Sequence, residues 1–279
     1  MILDNAAREV YSRQILMKEI GESGQRKLAD ASVLVIGCGG LGAPALFYLT
    51  AMGIGHLGLC DVDTVSLSNL NRQFLFTQDD LGKPKAPTAD KRLRALSPQL
   101  ETTVYDCFFD ADLAGGILPA YDIVPDCLDN FESRFVLNDA CVAARKPFIH
   151  AGIGEFFGQL MTITPGTGPC LRCLFPAGAQ RLDGAQRQDG TQRQNGTQHP
   201  DATQRQDGTL KKDPEKPFGV VGPTPGVLGS LQALEALKYL LGLPVSNDGL
   251  VVYDGLQMSL EKVALTPSPD CICMGKIAK

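Results

Sequence analysis

Apolar and polar positions fall into short alternating blocks along this chain. Residues 33–37, VLVIG, are β-branched and wholly apolar, the pattern of a parallel strand buried on both faces. A glycine-rich segment, GCGGLG, follows, and APALFYLTAMG then reads as a helix. Further strands are predicted at HLGLCD (56–61), TTVYDC (102–107), YDIVPDC (121–127), PFIHAG (147–152) and QLMTITP (159–165). Helical patterns lie between several of them, notably over 85–96 and 132–145, and the first 30 residues read as helical with charges on one side. This alternation predicts an α/β fold, a doubly wound, mostly parallel sheet with helices on both faces. LVVYDG (250–255) and LEKVAL (260–265) have little between them, which predicts an antiparallel C-terminal portion. Residues 219–242 contain a helix from about Gly226, apolar on nearly every face and so buried, ended by Gly242 and Pro244. Pro125 lies inside a predicted central strand. It has no N–H for the ladder there, which predicts a bulge or a strand end.

One segment breaks the pattern. Residues 179–208 are five hexads, AQRLDG, AQRQDG, TQRQNG, TQHPDA and TQRQDG. With Leu182 as their one aliphatic residue they cannot bury enough surface to offset the entropy of ordering. They read as a low-complexity insert in a single domain spanning 1–279. The chain carries 26 Lys and Arg against 31 Asp and Glu, a net negative charge that argues against a nucleic-acid or anionic-membrane surface. No apolar run is long enough to span a membrane, and charges occupy the N-terminus where a signal peptide would be apolar. The expected location is cytoplasmic.

Nine cysteines in such a chain do not suggest a disulfide framework. Cys38, Cys60, Cys107, Cys127 and Cys141 lie in apolar stretches and read as small buried hydrophobes. Cys170 and Cys173 have C-x-x-C spacing, usual for zinc, and Cys271 and Cys273 form a tighter C-x-C pair. Gly37, Gly39 and Gly42 spell G-x-G-x-x-G between a strand and a helix, with Asp61 ending the next strand. This is the Rossmann-like arrangement in which glycines let the backbone approach a phosphate and an acid accepts from ribose hydroxyls. A tight turn with no ligand is the bland alternative. Asp61, Asp63, Asn69, Arg72 and Lys85 form a polar block suited to a triphosphate, ribose and Mg²⁺, or simply to a solvated loop. His56, His150 and His199 show no catalytic pattern and read as structural or solvated.

YSRQIL (11–16), VLVIGCGGLGAPAL, CDVDTVSLSNLNRQ, GKPK, DCLDN (126–130), CLRC (170–173) and GVLGSLQALEALK occur in this order. Together they resemble the ThiF/MoeB/HesA family of sulfur-carrier-protein adenylyltransferases, relatives of the ubiquitin-activating enzymes. The resemblance covers about 8–175 and 218–275, omitting the hexads. It implies a homodimer that binds MgATP and adenylates the C-terminal glycine carboxylate of a small ubiquitin-like carrier ending in Gly-Gly, for thiamine, molybdopterin or related sulfur chemistry. GVVGP (219–223) and FFGQLMTITP (156–165) lean toward the thiamine-type members.

Matched residue by residue, the resemblance implies that Gly40 and the glycine turn face the nucleotide and that Asp61 holds the ribose. Asn69, Arg72 and Lys85 contact phosphates, and Asp129 binds Mg²⁺ with Asn130 beside it. Arg13 reaches into the partner's site. The four cysteines Cys170, Cys173, Cys271 and Cys273 would hold structural Zn²⁺, although the family's second pair is also C-x-x-C and this one is a residue short. Residues 174–218 contain no cysteine, where some relatives keep one that bonds to the carrier. The expectation is therefore that this protein stops at the acyl-adenylate and that a separate persulfide donor completes sulfur transfer. Two alternatives stay open on the residues alone: an NAD-dependent dehydrogenase, and a nucleotide-binding scaffold that has lost catalysis.

Overall fold

The computed structural model describes residues 3–176 and 219–274; the hexad tract and His199 lie outside the described residues. The described residues form one mixed eight-stranded sheet with the strand order β3-β2-β1-β4-β5-β6-β7-β8. Its strands are β1 (Ser32–Ile36), β2 (His56–Cys60), β3 (Glu101–Tyr105), β4 (Val124–Asp126), β5 (Phe148–Gly154), β6 (Phe157–Ile163), β7 (Gly249–Asp254) and β8 (Ser259–Ala264). The first five pair in parallel, and β6, β7 and β8 add in antiparallel sense. The predicted α/β class, parallel half and antiparallel portion are all present.

The N-terminal helical stretch is three pieces, α1 (Asn5–Val10), α2 (Ser12–Ile15) and α3 (Gly21–Asp30). Helix α4 (Gly42–Ala51) follows the glycine turn, and α5 (Lys85–Leu96) and α7 (Phe131–Ala143) match their predicted spans closely. Helices α6 (Ala111–Ile117) and α8 (Leu171–Leu174) were not anticipated; they are too short to establish a period. Helix α9 (Pro223–Leu241) begins three residues before the expected Gly226, because Pro223 sits in the first turn, where proline's missing N–H loses no helical bond. It ends at Gly242 in the left-handed conformation, φ 74°.

Two apolar layers sandwich the sheet. On one face Val33, Val35, Leu57 and Leu59 pack with Leu46, Leu49, Leu228 and Ala236 of α4 and α9. On the other, Leu34, Ile36 and Phe148 pack with Leu137 and Cys141 of α7 and with Tyr121. Successive residues of β1 thus feed opposite layers, as a period of two requires. Four of the five apolar-stretch cysteines are buried as expected, but Cys107 is half-exposed, since it lies beyond the end of β3.

Pro125 neither bulges nor ends its strand. It pairs with Ile149 in β5. On the β1 side, Leu34 N–H donates to the Ile123 carbonyl and Cys127 N–H to the Ile36 carbonyl, and Pro125 falls between these bonds. One donor is missing, and the strand remains paired on both sides.

Candidate active site

Between β1 and β4 the order reverses, since β2 and β3 lie to one side and β5 to the other. In an open α/β sheet a crevice forms at the carboxyl ends of strands at such a point. The glycine turn leaves β1 there and the DCLDN loop leaves β4 there. Two glycines are compulsory. Gly37 has φ 96°, and a Cβ on it would lie 2.5 Å from the Cys127 carbonyl oxygen. A Cβ on Gly42 would lie 1.9 Å from the Gly37 carbonyl oxygen. The turn can close against β4 only without side chains. Gly39 and Gly40 are different: a Cβ on either would meet side chains of Gln73, Arg72 and Pro225 at 3.4–3.5 Å, so their bareness keeps the turn's outer surface clear.

The polar block wraps this turn. Asp61 accepts from Cys38 N–H at 2.6 Å and from Asp63 N–H at 2.8 Å. Burial pushes its carboxyl above the ordinary value, against the pull of those two N–H groups and Lys85. Lys85 is itself buried, and its Nζ lies 2.8 Å from Asp63 Oδ2. Its N–H bonds the Asp63 carbonyl, and Val65 N–H bonds the Lys83 carbonyl, so two segments far apart in sequence are laced together and deliver a cation beside Asp61. Asn69 accepts from Ser66 N–H and closes a capping box. Arg72 donates to the Ser68 carbonyl and Asn71 Oδ1, both at 2.9 Å. On the facing loop Asp129 and Asn130 are exposed, and Asn130 caps α7 by accepting from Ser133 N–H at 2.9 Å. Arg13 on α2 is exposed, away from the other candidates in sequence. Gln14 beside it is anchored to Gln25 Oε1 and the Met52 carbonyl.

Several residues under this site escaped the sequence reading. Asp126 is fully buried, with His150 Nδ1 at 2.8 Å. Burial lowers the His150 pKa, with Asp126 opposing it, which suits a neutral structural imidazole. Arg134 of α7 donates to the Leu128 carbonyl and, at 2.8 Å, to the Ala151 carbonyl, holding the DCLDN loop. Gln232 of α9 donates to the Asp126 and Ile149 carbonyls at 2.8 and 2.9 Å. A glutamine set between Leu231 and Ala233 in a largely apolar helix was the available signal.

A family model described as the ThiF family matches residues 11–273. The chain belongs to the ThiF family. Among curated relatives of this ThiF-family chain, a sulfur carrier protein adenylyltransferase of Thermus thermophilus is 38% identical, over 95% of this chain and 90% of that protein. The sulfur carrier protein ThiS adenylyltransferase of Escherichia coli is 38% identical over 96% of both. Among solved structures, E. coli MccB with ATP superposes with a TM-score of 0.75 at 24% identity, over 96% of this chain and 74% of that one, and supports the fold.

Away from the crevice, the Sγ atoms of Cys170, Cys173, Cys271 and Cys273 all lie within 4.8 Å of one another. The pairs Cys170–Cys271 and Cys173–Cys273 are 3.4 and 3.5 Å apart. Four thiolates around one zinc, with Zn–S near 2.3 Å, stand about 3.8 Å apart, so the cluster fits that ion. The shortened second pair is accommodated by a 3-10 turn over Ile272–Met274, which turns both thiols inward while Ile272 packs on the core. Buried Asn138 of α7 accepts from Leu171 N–H at 3.0 Å and fixes the first pair.

Proposed function

We propose that this protein uses ATP to adenylate the C-terminal glycine carboxylate of a small ubiquitin-like sulfur-carrier protein, releasing pyrophosphate. What supports the reading is the bare glycine turn with Asp61, Lys85 and Arg72 beside it, at the crevice where the loop carrying Asp129 leaves β4, in a chain whose relatives are named adenylyltransferases. Those names leave the dehydrogenase alternative without support.

Asp61, ionised, accepts from the ribose hydroxyls. The amides of the turn and the start of α4 face the phosphates. Arg72 and Lys85 counter the charge that builds when the carrier's carboxylate attacks the α-phosphorus and pyrophosphate departs, with Asn69 as a further phosphate contact. The carboxylate is already ionised at neutral pH, so no general base is required, in keeping with the buried, structural His150. The exposed oxygens of Asp129, with Asn130 beside it, are hard ligands suited to Mg²⁺, which supplies charge neutralisation on the phosphates. The four-cysteine cluster is the seat of structural Zn²⁺.

The second copy of a homodimer completes the site. Arg13 has no hydrogen-bond or ion-pair partner among the described residues and is free to enter it. An apolar groove of about 550 Å³ between α4 and α9, lined by Phe47, Tyr48, Phe74, Val227 and Leu231, offers surface for such a contact. With no cysteine in 174–218, the product is the acyl-adenylate, and a separate persulfide donor takes it further.

ATP–pyrophosphate exchange with Mg²⁺, run with and without Gly-Gly-ending carrier proteins, tests this. Exchange that depends on one carrier is expected. Protein that binds ATP yet exchanges with none refutes it and favours a scaffold without catalysis.

A further inference from the structure

Gln73 is a residue the family motifs above did not assign. Only 4% of it is exposed, and its Oε1 has no hydrogen-bond partner. Its Nε2 end lies against the glycine turn: a Cβ on Gly39 would sit 3.4 Å from it, and one on Gly40 would sit 3.5 Å from the Arg72 stem. Consecutive side chains, Arg72 and Gln73, therefore flank consecutive bare glycines. A buried carboxamide is ordinarily paired at both ends. The orphaned Oε1 is an acceptor that a phosphate does not satisfy. The end that meets the turn is Nε2, which also forms no hydrogen bond among the described residues, and it is this donor that a ligand's acceptor completes. The backbone around it is already fixed, since Gln73 N–H bonds the Asn69 carbonyl and its own carbonyl accepts from Phe76 N–H.

We infer that Gln73 binds the nucleotide, its Nε2 donating to a phosphate oxygen of ATP at Gly39. This rests on the adenylyltransferase reading and adds to it a neutral donor next to the Arg72 cation. A neutral amide contributes direction without a further charge to release, and it is held ready by burial rather than by a partner that ATP must displace. Lys85, by contrast, is paired with Asp63 before ligand arrives.

The test is Q73L, with Q73E as a second variant of nearly the same shape. ATP affinity is measured by calorimetry with Mg²⁺, and thermal stability is measured without nucleotide. Removing a hydrogen bond to a charged acceptor corresponds to an affinity loss of about 10- to 100-fold in Q73L. Q73E should lose at least as much, because its carboxylate faces the phosphates. Without nucleotide, Q73L should melt no lower than wild type, since an unpaired buried polar atom has been removed. A purely structural Gln73 gives the reverse, with a lowered melting temperature and unchanged ATP affinity in the folded variants, and that result overturns the inference. Wild-type protein that binds ATP as tightly as both variants overturns it alone. Wild-type protein that binds no ATP overturns the adenylyltransferase reading beneath it.

Discussion

Removing the zinc proposed for the cysteine cluster should cost stability that can be gauged from where the thiols lie in the chain. Cys170 and Cys271 are 101 residues apart, and Cys173 and Cys273 are 100 apart. A tie between them closes a long loop in the unfolded chain, and for about 100 residues the loop-closure term is about 4.7 kcal/mol. The structure adds little that opposes it, because the sulfurs already stand near the spacing of a tetrahedral tetrathiolate. Burial pushes the Cys173 thiol up, but hydrogen bonds from the Cys170 and Ser268 backbone and neighbouring thiols outweigh it and lower the thiol. Burial also pushes Cys170 up to about 12 and raises Cys273 further, so a metal entering the cluster must displace protons and its binding should weaken as pH falls. The four cysteines belong to the layer of Leu34, Ile36 and Phe148, but the opposite layer on α4 and α9 contains none of them, so the protein should remain folded when the cluster is emptied. At about 2 °C for each kcal/mol in a chain of this size, chelation under reducing conditions should lower the melting temperature by about 10 °C, and added zinc should restore it. The assay is atomic emission for stoichiometry, paired with melting before and after chelation. Less than about half a zinc per chain in carefully reduced protein, or a C173S variant with unchanged zinc content and melting, would refute the reasoning.

Lys85→Ala removes a buried ammonium from the proposed phosphate site and should reduce pyrophosphate exchange by about 10²–10³-fold; a change under threefold counts against its role. For Asp61, burial raises the carboxyl above the ordinary value of 3.8. As pH falls through that raised value, the folded protein takes up the proton before the unfolded chain does. Protonation then stabilises the empty fold while turning one accepting oxygen into a donor, which weakens the proposed ribose contact. ATP affinity should therefore begin to fall above pH 3.8 in wild type, and this step should vanish in Asp61→Asn, which binds more weakly throughout; calorimetric titrations at several pH values measure it, and identical profiles would exclude Asp61. Gln232→Leu strips a donor from the Asp126 and Ile149 carbonyls and should cost about 2–4 kcal/mol in urea unfolding, with a loss under about 1 kcal/mol contradicting its bridging role.

Much of this architecture is visible in local residue patterns. The apolar run of β1, the glycine turn and the α5 span could be read directly, because a buried parallel strand and an amphipathic helix impose their periods on neighbouring residues. The glycines at 37 and 42 are determined by backbone contacts so close that no other residue fits, and that constraint shows as a motif. Short elements such as α6 escaped, since seven residues hold barely two turns. Pro125 misled because a proline's cost depends on which neighbouring strand its missing donor faces, and that is set by the sheet order alone.

The site divides the same way. Residue types announced Asp61, Arg72, Lys85 and the cysteine pairs as chemistry-bearing, because charge and thiol content are properties of the chain itself. Only the tertiary structure decided that Lys85 pairs with Asp63 across 22 residues, that Gln232 reaches from α9 into the β4–β5 seam, and that a C-x-C pair still meets its C-x-x-C partner. It also decided that Gln73 lies buried with an unpaired end against Gly39. Such features depend on which segments the sheet brings together, and long-range proximity leaves no periodic trace in a single sequence.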